Sequence, residues 1–186
     1  MGIRDDRRRA VFLDRDGVIN RPVVRDGRPH PPDTLEALEV LPGVSEALTR
    51  LRDAGFRLVV VTNQPDVARG TQRREVVDAM HARLAALLPI DEFRVCDHDD
   101  GDRCGCRKPA PGMLEAAASE ARLLLSASYM VGDRWRDVEA GRRAGCRAVF
   151  VDWGYVERRP DCPDVTVRSL PEAADWILWQ SWSESA

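Results

Sequence analysis

The sequence predicts an α/β protein, a Rossmann-like three-layer sandwich with a central parallel sheet between two layers of helices. Three observations carry this. Short apolar runs such as Leu58-Val59-Val60-Val61 recur along the chain, as expected of strands buried on both faces. Stretches of helical period separate these runs. The polar residues of interest fall just past the runs, where open parallel sheets bind their ligands.

The elements follow in order. Residues 9–13 form the first buried strand. Residues 16–33 hold four prolines and no clear period, and read as a long loop. Pro42-Gly43 opens a helix on Val44, Ala47, Leu48 and Leu51, which Gly55 ends. Residues 57–61 form the second strand. Thr71 is the expected N-cap of a helix over 72–88 that Pro89 stops. Residues 93–96 are the third strand, and 111–122 a helix with Pro111 in its first turn. Residues 129–131 are the fourth strand, 135–144 a helix closed by Gly145, 148–151 the fifth strand, and 171–182 the last helix. That helix carries Trp176, Trp179 and Trp182 at three-residue spacing, which reads as core packing against the sheet, with a partner surface as the alternative.

The 186 residues suit one domain over 1–186. An apolar fraction of 44% can bury a core, and a net charge of −3 offers no basic footprint for nucleic acid or an anionic membrane. Met1 to Arg9 is charged and lacks the apolar stretch of a signal peptide. No apolar run approaches the roughly 18 residues of a membrane span. A soluble, cytoplasmic monomer is expected. Of the 28 basic residues, 27 are arginine and one is Lys108. A lone lysine in that background marks a place for a compact ammonium that a planar guanidinium cannot replace.

Asp14 and Asp16 stand two apart beyond the first strand. Two adjacent acids repel unless a cation or shared proton intervenes. A divalent cation held by Asp14, the Asp16 backbone carbonyl and Asp133 resolves this, and Mg2+ suits a few carboxylates plus phosphate oxygens and water. Thr62 and Asn63 follow the second strand, Lys108 the third, and Gly132-Asp133 the fourth. Asp137, at a helix start, orients Lys108 or a metal-bound water.

Cys96, His98, Cys104 and Cys106 form a C-x-H-x5-C-x-C cluster. Three thiols and one imidazole suit a closed, structural Zn2+ site, with free thiols or a redox pair as the alternatives. Loop 96–106 then runs directly into Arg107-Lys108, so the metal would fix the loop that delivers the lysine. Cys146 reads as a small buried hydrophobe.

Asp14-x-Asp16-Gly17, Thr62-Asn63, Lys108 and Gly132-Asp133, in this order, resemble the four motifs of the haloacid dehalogenase superfamily. The resemblance implies that Asp14 is a nucleophile forming an aspartyl-phosphate and Asp16 a general acid/base. It implies that Thr62 and Lys108 neutralise the phosphoryl oxygens. Only 47 residues separate Asp14 from Thr62, and 45 separate Thr62 from Lys108. Core elements consume both intervals, so the expected form is capless and loops must close the site. Phe12 to Asn20 (F-L-D-R-D-G-V-I-N), Thr62-Asn63-Gln64, Ala68-Arg69-Gly70 and Cys106 to Leu114 (C-R-K-P-A-P-G-M-L) narrow the likeness. They resemble the bacterial D-glycero-D-manno-heptose 1,7-bisphosphate 7-phosphatases, a family similar to the phosphatase domain of histidinol-phosphate phosphatase. The likeness implies a phosphorylated sugar substrate, with Arg107 recognising its distal phosphate. Arg25, Arg28 and His30 are candidates to contact that sugar. Two other readings stand beside it: a histidinol-phosphate phosphatase, and a catalytically silent, zinc-stapled interaction module.

Overall fold

β1 (Ala10–Leu13) is buried along its whole length and lies inside a six-stranded sheet. The computed structural model describes residues 9–183. Of the charged start at Met1–Arg9, all but Arg9 lies outside these residues. Strand order is β5-β4-β1-β6-β7-β8, parallel throughout. The strands are β4 (Arg57–Asn63), β5 (Glu92–Cys96), β6 (Tyr129–Gly132), β7 (Arg147–Val151) and β8 (Val165–Val167). The chain runs outward from β1 through β4 to β5, then returns to the other side of β1 at β6. That reversal opens a crevice at the carboxyl end of β1, the usual ligand position in such sheets.

The pleat of β1 sorts the two cores. Val11 and Leu13 pack with Leu48 of α1 (Val44–Asp53), Leu84 of α3 (Arg74–Leu87) and Ile177 of α6 (Leu170–Ser183). Ala10 and Phe12 pack with Leu114 of α4 (Gly112–Ala121) and Ala140 of α5 (Trp135–Ala144) on the opposite face. Gly145, at φ 83°, ends α5 in the left-handed conformation that glycine adopts without strain.

The expected strands and long helices are present, with four differences. The stretch 16–33 contains an antiparallel hairpin, β2 (Val23–Arg25) and β3 (Arg28–His30), turned by Asp26-Gly27 with both φ values positive. Asp-Gly is the favoured pair for this turn; the surrounding prolines obscured the alternation. β8 is a sixth strand of only three residues. A short helix, α2 (Pro65–Ala68), follows β4. Thr71 is not the N-cap of α3. That position is Arg73, while the Thr71 hydroxyl donates to the carbonyl of Asp66, the second residue of α2. The tryptophan stripe also divides: Trp176 packs edge-on against Tyr129, whereas Trp179 and Trp182 are 61% and 78% exposed.

α5 lies so close to β6 that a Cβ on Gly141 would sit 2.5 Å from the Met130 Cβ. Gly141→Ala is therefore expected to destabilise the protein by about 1–3 kcal/mol through overpacking. At an open helical site the same change would stabilise by up to about 1 kcal/mol. Urea unfolding distinguishes the two signs.

Candidate active site

Lys108 is buried at the base of the crevice, its side chain 2% exposed. Nζ donates to the Val61 carbonyl at 2.7 Å and lies 2.9 Å from Asp14 Oδ1 and 2.6 Å from Asp137 Oδ1. An ammonium has three donors, and all three are used. Burial alone would lower the Lys108 pKa, but Asp137 and Asp14 outweigh it and hold the group above the ordinary lysine value. Asn63 clamps the lysine backbone from both sides: its amide nitrogen donates to the Lys108 carbonyl at 3.0 Å, and its oxygen accepts the Lys108 N–H at 3.1 Å. The sequence-derived partners Asn63, Lys108, Asp14 and Asp137 thus meet at one point.

Asp14, Asp133 and Asp137 each bring a carboxylate oxygen within 4.8 Å of the others. Burial raises the pKa of Asp14 to about 6, against the pull of Lys108 and with added repulsion from Asp137. Burial, then Asp14 and Asp137, raise Asp133 well above the carboxylate range. With all three acids ionised, one ammonium leaves this buried cluster short of two positive charges. Asp133 Oδ1 is buried with no hydrogen-bond partner. An orphaned carboxylate oxygen among like charges fits a divalent cation of the Mg2+ type. Gly17, at φ 89°, is required here, because a Cβ on it would lie 1.9 Å from Asp133 Oδ2.

The Asp16 carboxylate lies outside that cluster. It accepts from Arg15 Nε and Nη2, from Asn20 Nδ2 at 2.9 Å and from Gln64 Nε2 at 3.0 Å. Gln64 also donates to Thr62 Oγ1 at 2.9 Å. Arg15 is fully buried, and its Nη1 meets His81 Nε2 at 3.1 Å. A guanidinium only donates, so this histidine nitrogen accepts and the ring is neutral. Burial, then the Arg15 charge, lowers the His81 pKa to about 4.

Above this floor the crevice has two connected chambers. The inner one, about 70 Å³, is lined by Asp14, Asp16, Thr62, Asn63, Lys108 and the hairpin residue His30, and by Arg134 and Arg136, which line both chambers. The outer one, about 320 Å³, is lined by Arg28, Arg69, Arg107, Arg134 and Arg136, with Asp66 and Asp100 the acids among its walls. Arg107 Nε donates to Asp100 Oδ1 at 2.8 Å and its Nη1 to the His98 carbonyl at 3.2 Å. Arg25 pairs instead with Asp33. Sequence reasoning missed Arg15, Gln64, His81, Arg134, Arg136 and Tyr155. Arg15, Gln64, Arg134 and Arg136 flank motif residues and were findable by position. His81 and Tyr155 reach the site only through tertiary contact.

Beside the lysine, Cys96, His98, Cys104 and Cys106 converge. Cys106 Sγ lies 3.2 Å from Cys96 Sγ, 3.4 Å from Cys104 Sγ and 3.3 Å from His98 Nδ1. A tetrahedral zinc with Zn–S bonds of about 2.3 Å sets its sulfurs about 3.8 Å apart. The cluster is a few tenths of an ångström tighter than that and has the right donors for a closed site. Burial raises the Cys96 thiol pKa, so a bound cation is what would favour its thiolate. Cys146 is buried, as expected.

Comparison with known proteins agrees with this geometry. Residues 31–145 match the family model of haloacid dehalogenase-like hydrolases. The chain belongs to that family. A D-glycero-D-manno-heptose-1,7-bisphosphate 7-phosphatase of Thermosynechococcus vestitus is 38% identical over 91% of this chain and 95% of that protein. A D-glycero-beta-D-manno-heptose-1,7-bisphosphate 7-phosphatase of Escherichia coli is 37% identical over 91% of this chain and 87% of its own length. Among solved structures, a D,D-heptose 1,7-bisphosphate phosphatase of B. bronchiseptica, complexed with magnesium and phosphate, superposes with a TM-score of 0.75. It is 29% identical, covering 92% of this chain and 99% of that one. Haloacid dehalogenase phosphatases use Mg2+, and Asp14 and Asp133 have carboxylate oxygens for it, while Asp137 is engaged by Lys108 and the Arg134 N–H.

Two measurements probe the site without substrate. The folded-state pKa of His81 lies below its unfolded value of about 6.5. Its contribution to stability is therefore present above pH 6.5 and is lost as pH falls through 4. Wild type is expected to lose on the order of 3 kcal/mol over that window from this group. His81→Gln, which keeps an acceptor for Arg15, should flatten the slope in denaturant unfolding at stepped pH. Chelation is expected to release about one zinc per chain and lower the melting temperature, with Cys106→Ser behaving like the chelated protein. Metal analysis alongside a melting curve reads both.

Proposed function

We propose that this hydrolase is a magnesium-dependent phosphatase that removes the 7-phosphate of D-glycero-D-manno-heptose 1,7-bisphosphate. The observation that carries the reading is the contact of Lys108 Nζ with Asp14 at the floor of a crevice whose outer wall is rich in arginine. An anionic nucleophile can approach an anionic phosphate only where positive charge offsets the repulsion. Relatives named for this substrate align along most of the chain. A doubly phosphorylated sugar matches a lysine at one end of the crevice and guanidinium groups at the other.

An Asp14 carboxylate oxygen attacks phosphorus in line, forming an aspartyl-phosphate as the bond to the sugar oxygen breaks. Asp16, released from Arg15 and protonated, gives its proton to that leaving oxygen. Asp16 then takes a proton from water, whose oxygen attacks phosphorus, releases inorganic phosphate and restores Asp14. Lys108 and the Thr62 hydroxyl stabilise the equatorial oxygens throughout. Asp14, Asp133 and the Asp16 backbone carbonyl would hold Mg2+. The cation supplies charge neutralisation and a template for the phosphoryl group. Arg107, Arg134 and Arg136 face the distal phosphate, where a guanidinium fork suits phosphate geometry. This arginine wall disfavours the cationic substrate of a histidinol-phosphate phosphatase.

The same reading takes residues 1–186 as one capless domain, a monomer acting in the cytoplasm without a nucleic-acid or membrane partner. Among the described residues, no helix is long and apolar enough to cross a membrane.

Phosphate release with Mg2+ present tests the proposal. The expected result is a strong preference for one anomer of heptose 1,7-bisphosphate over histidinol phosphate and fructose 1,6-bisphosphate. Asp14→Asn should lower kcat by at least about 1000-fold, and Lys108→Arg by about 100-fold or more. Faster release from histidinol phosphate would overturn the substrate assignment. Equal release from wild type and Asp14→Asn would overturn the mechanism.

A further inference from the structure

The segment after β7 has no place in the family motifs, yet it crosses the site through consecutive tethers. The Asp152 carboxylate accepts the Gly154 N–H at 2.9 Å and starts the turn. Trp153 Nε1 donates to the Gly17 carbonyl at 2.8 Å, beside Asp16. The Tyr155 hydroxyl donates to Asp133 Oδ2 at 2.8 Å. The Val156 amide donates to the Gly27 carbonyl, in the turn of the β2–β3 hairpin, at 2.8 Å. Glu157 pairs with Arg134 at 2.5 Å. The rings of Trp153 and Tyr155 stand nearly parallel, 2° apart in plane.

Asp133 makes unequal use of its two oxygens. Oδ2 is lodged against the glycine at 17, where no side chain fits. Tyr155 is the one hydrogen-bond donor to the carboxylate among the described residues. Oδ1 is buried with no hydrogen-bond partner, in a carboxylate that brings an oxygen within 4.8 Å of oxygens of Asp14 and Asp137. A carboxylate that turns freely could offer either oxygen, and a buried one without a donor bears an added desolvation cost. Tying Oδ2 fixes the plane of the group and leaves Oδ1 for a ligand.

We infer that Tyr155 is a positioning residue for the divalent-cation site, holding Asp133 through Oδ2 so that Oδ1 faces the metal. This rests on the magnesium site proposed above. The supporting chemistry is that of outer-sphere hydrogen bonds in metal sites, which orient the ligand and whose loss weakens metal binding about 10–100-fold. The strap also ties the metal ligand to the hairpin and to Arg134 of the substrate crevice, through the next two residues in sequence.

Tyr155→Phe removes the hydroxyl and keeps the ring. Mg2+ affinity is measured on the zinc-loaded, full-length chain by calorimetry and by the Mg2+-dependent rise in melting temperature, with no substrate present. The expected result is a Kd for Mg2+ raised about 10–100-fold, with a metal-free melting temperature close to wild type. In the assay, excess Mg2+ should restore kcat, and substrate KM at saturating Mg2+ should stay the same. Asp133→Asn serves as reference and should abolish the high-affinity site. An unchanged Kd in Tyr155→Phe, with loss in Asp133→Asn, overturns the inference while the metal site stands. The same holds if Tyr155→Phe lowers the melting temperature and leaves the Kd alone, because that is a packing role. An unchanged Kd in both variants overturns the metal-site reading, and the inference with it.

Discussion

The ion pair that Lys108 makes with Asp14 and Asp137 is the interaction on which the rest of the site depends. Removing one partner of a buried pair leaves a charge stranded in a poorly polarisable medium, at a cost of several kcal/mol. The ammonium must therefore arrive at one place, between two strand ends and a helix start. Asn63 holds its backbone, the Val61 carbonyl accepts its third N–H, and Gly132 lets Asp137 approach, since a Cβ there would lie 2.0 Å from the Asp137 Cβ. The pairing is incomplete by charge. With Asp133 included, the cluster carries more negative charge than one lysine can balance, which is the electrostatic reason for a divalent cation.

The cysteine–histidine loop serves the same end from outside the core. Its residues 99–103 are polar and have little to pack, so a metal clip is a physical means of giving them one conformation. Arg107 ties Asp100 and the His98 carbonyl back to the stretch that carries Lys108. Arg136 of α5 shares Asp100 with Arg107, so the loop and the helix meet over a single carboxylate. Order in the zinc loop is thereby transmitted both to the lysine and to the arginine wall of the outer chamber. With no room for a cap domain between motifs, the β2–β3 hairpin and this loop form the rim.

Local pattern was enough for the strands of the inner sheet, because Val-rich runs buried on both faces have few other uses. It was enough for Asp14, Thr62, Lys108 and Asp133, because the parallel topology carries every strand end to one edge. It failed where the signal was short or masked. β8 has three residues, and β2–β3 is interrupted by prolines although Asp26-Gly27 marks its turn. Thr71 is a good N-cap type, but the α2 turn took its hydroxyl and the helix began at Arg74. The tryptophan spacing was real, yet a step of three residues turns about 60° around a helix, so Trp176 meets Tyr129 while Trp179 and Trp182 face outward although Ser181 between them is buried.

By itself, the sequence determined the class of fold, the gathering of four polar clusters at one sheet edge, the cysteine–histidine cluster and intervals too short for a cap between the motifs. All of these follow from residue type and spacing along the chain. Only the tertiary structure decided how those residues are aimed. It set Asp16 in the grip of Arg15, Asn20 and Gln64, stood a neutral His81 behind Arg15, and brought Tyr155 onto Asp133 from 22 residues away. It also gathered arginines from four separate segments into one chamber. The physical reason is that orientation and burial depend on contacts between elements distant in sequence. A carboxylate's charge, its free oxygen and its readiness to hold a metal are properties of those contacts, and no local pattern encodes them.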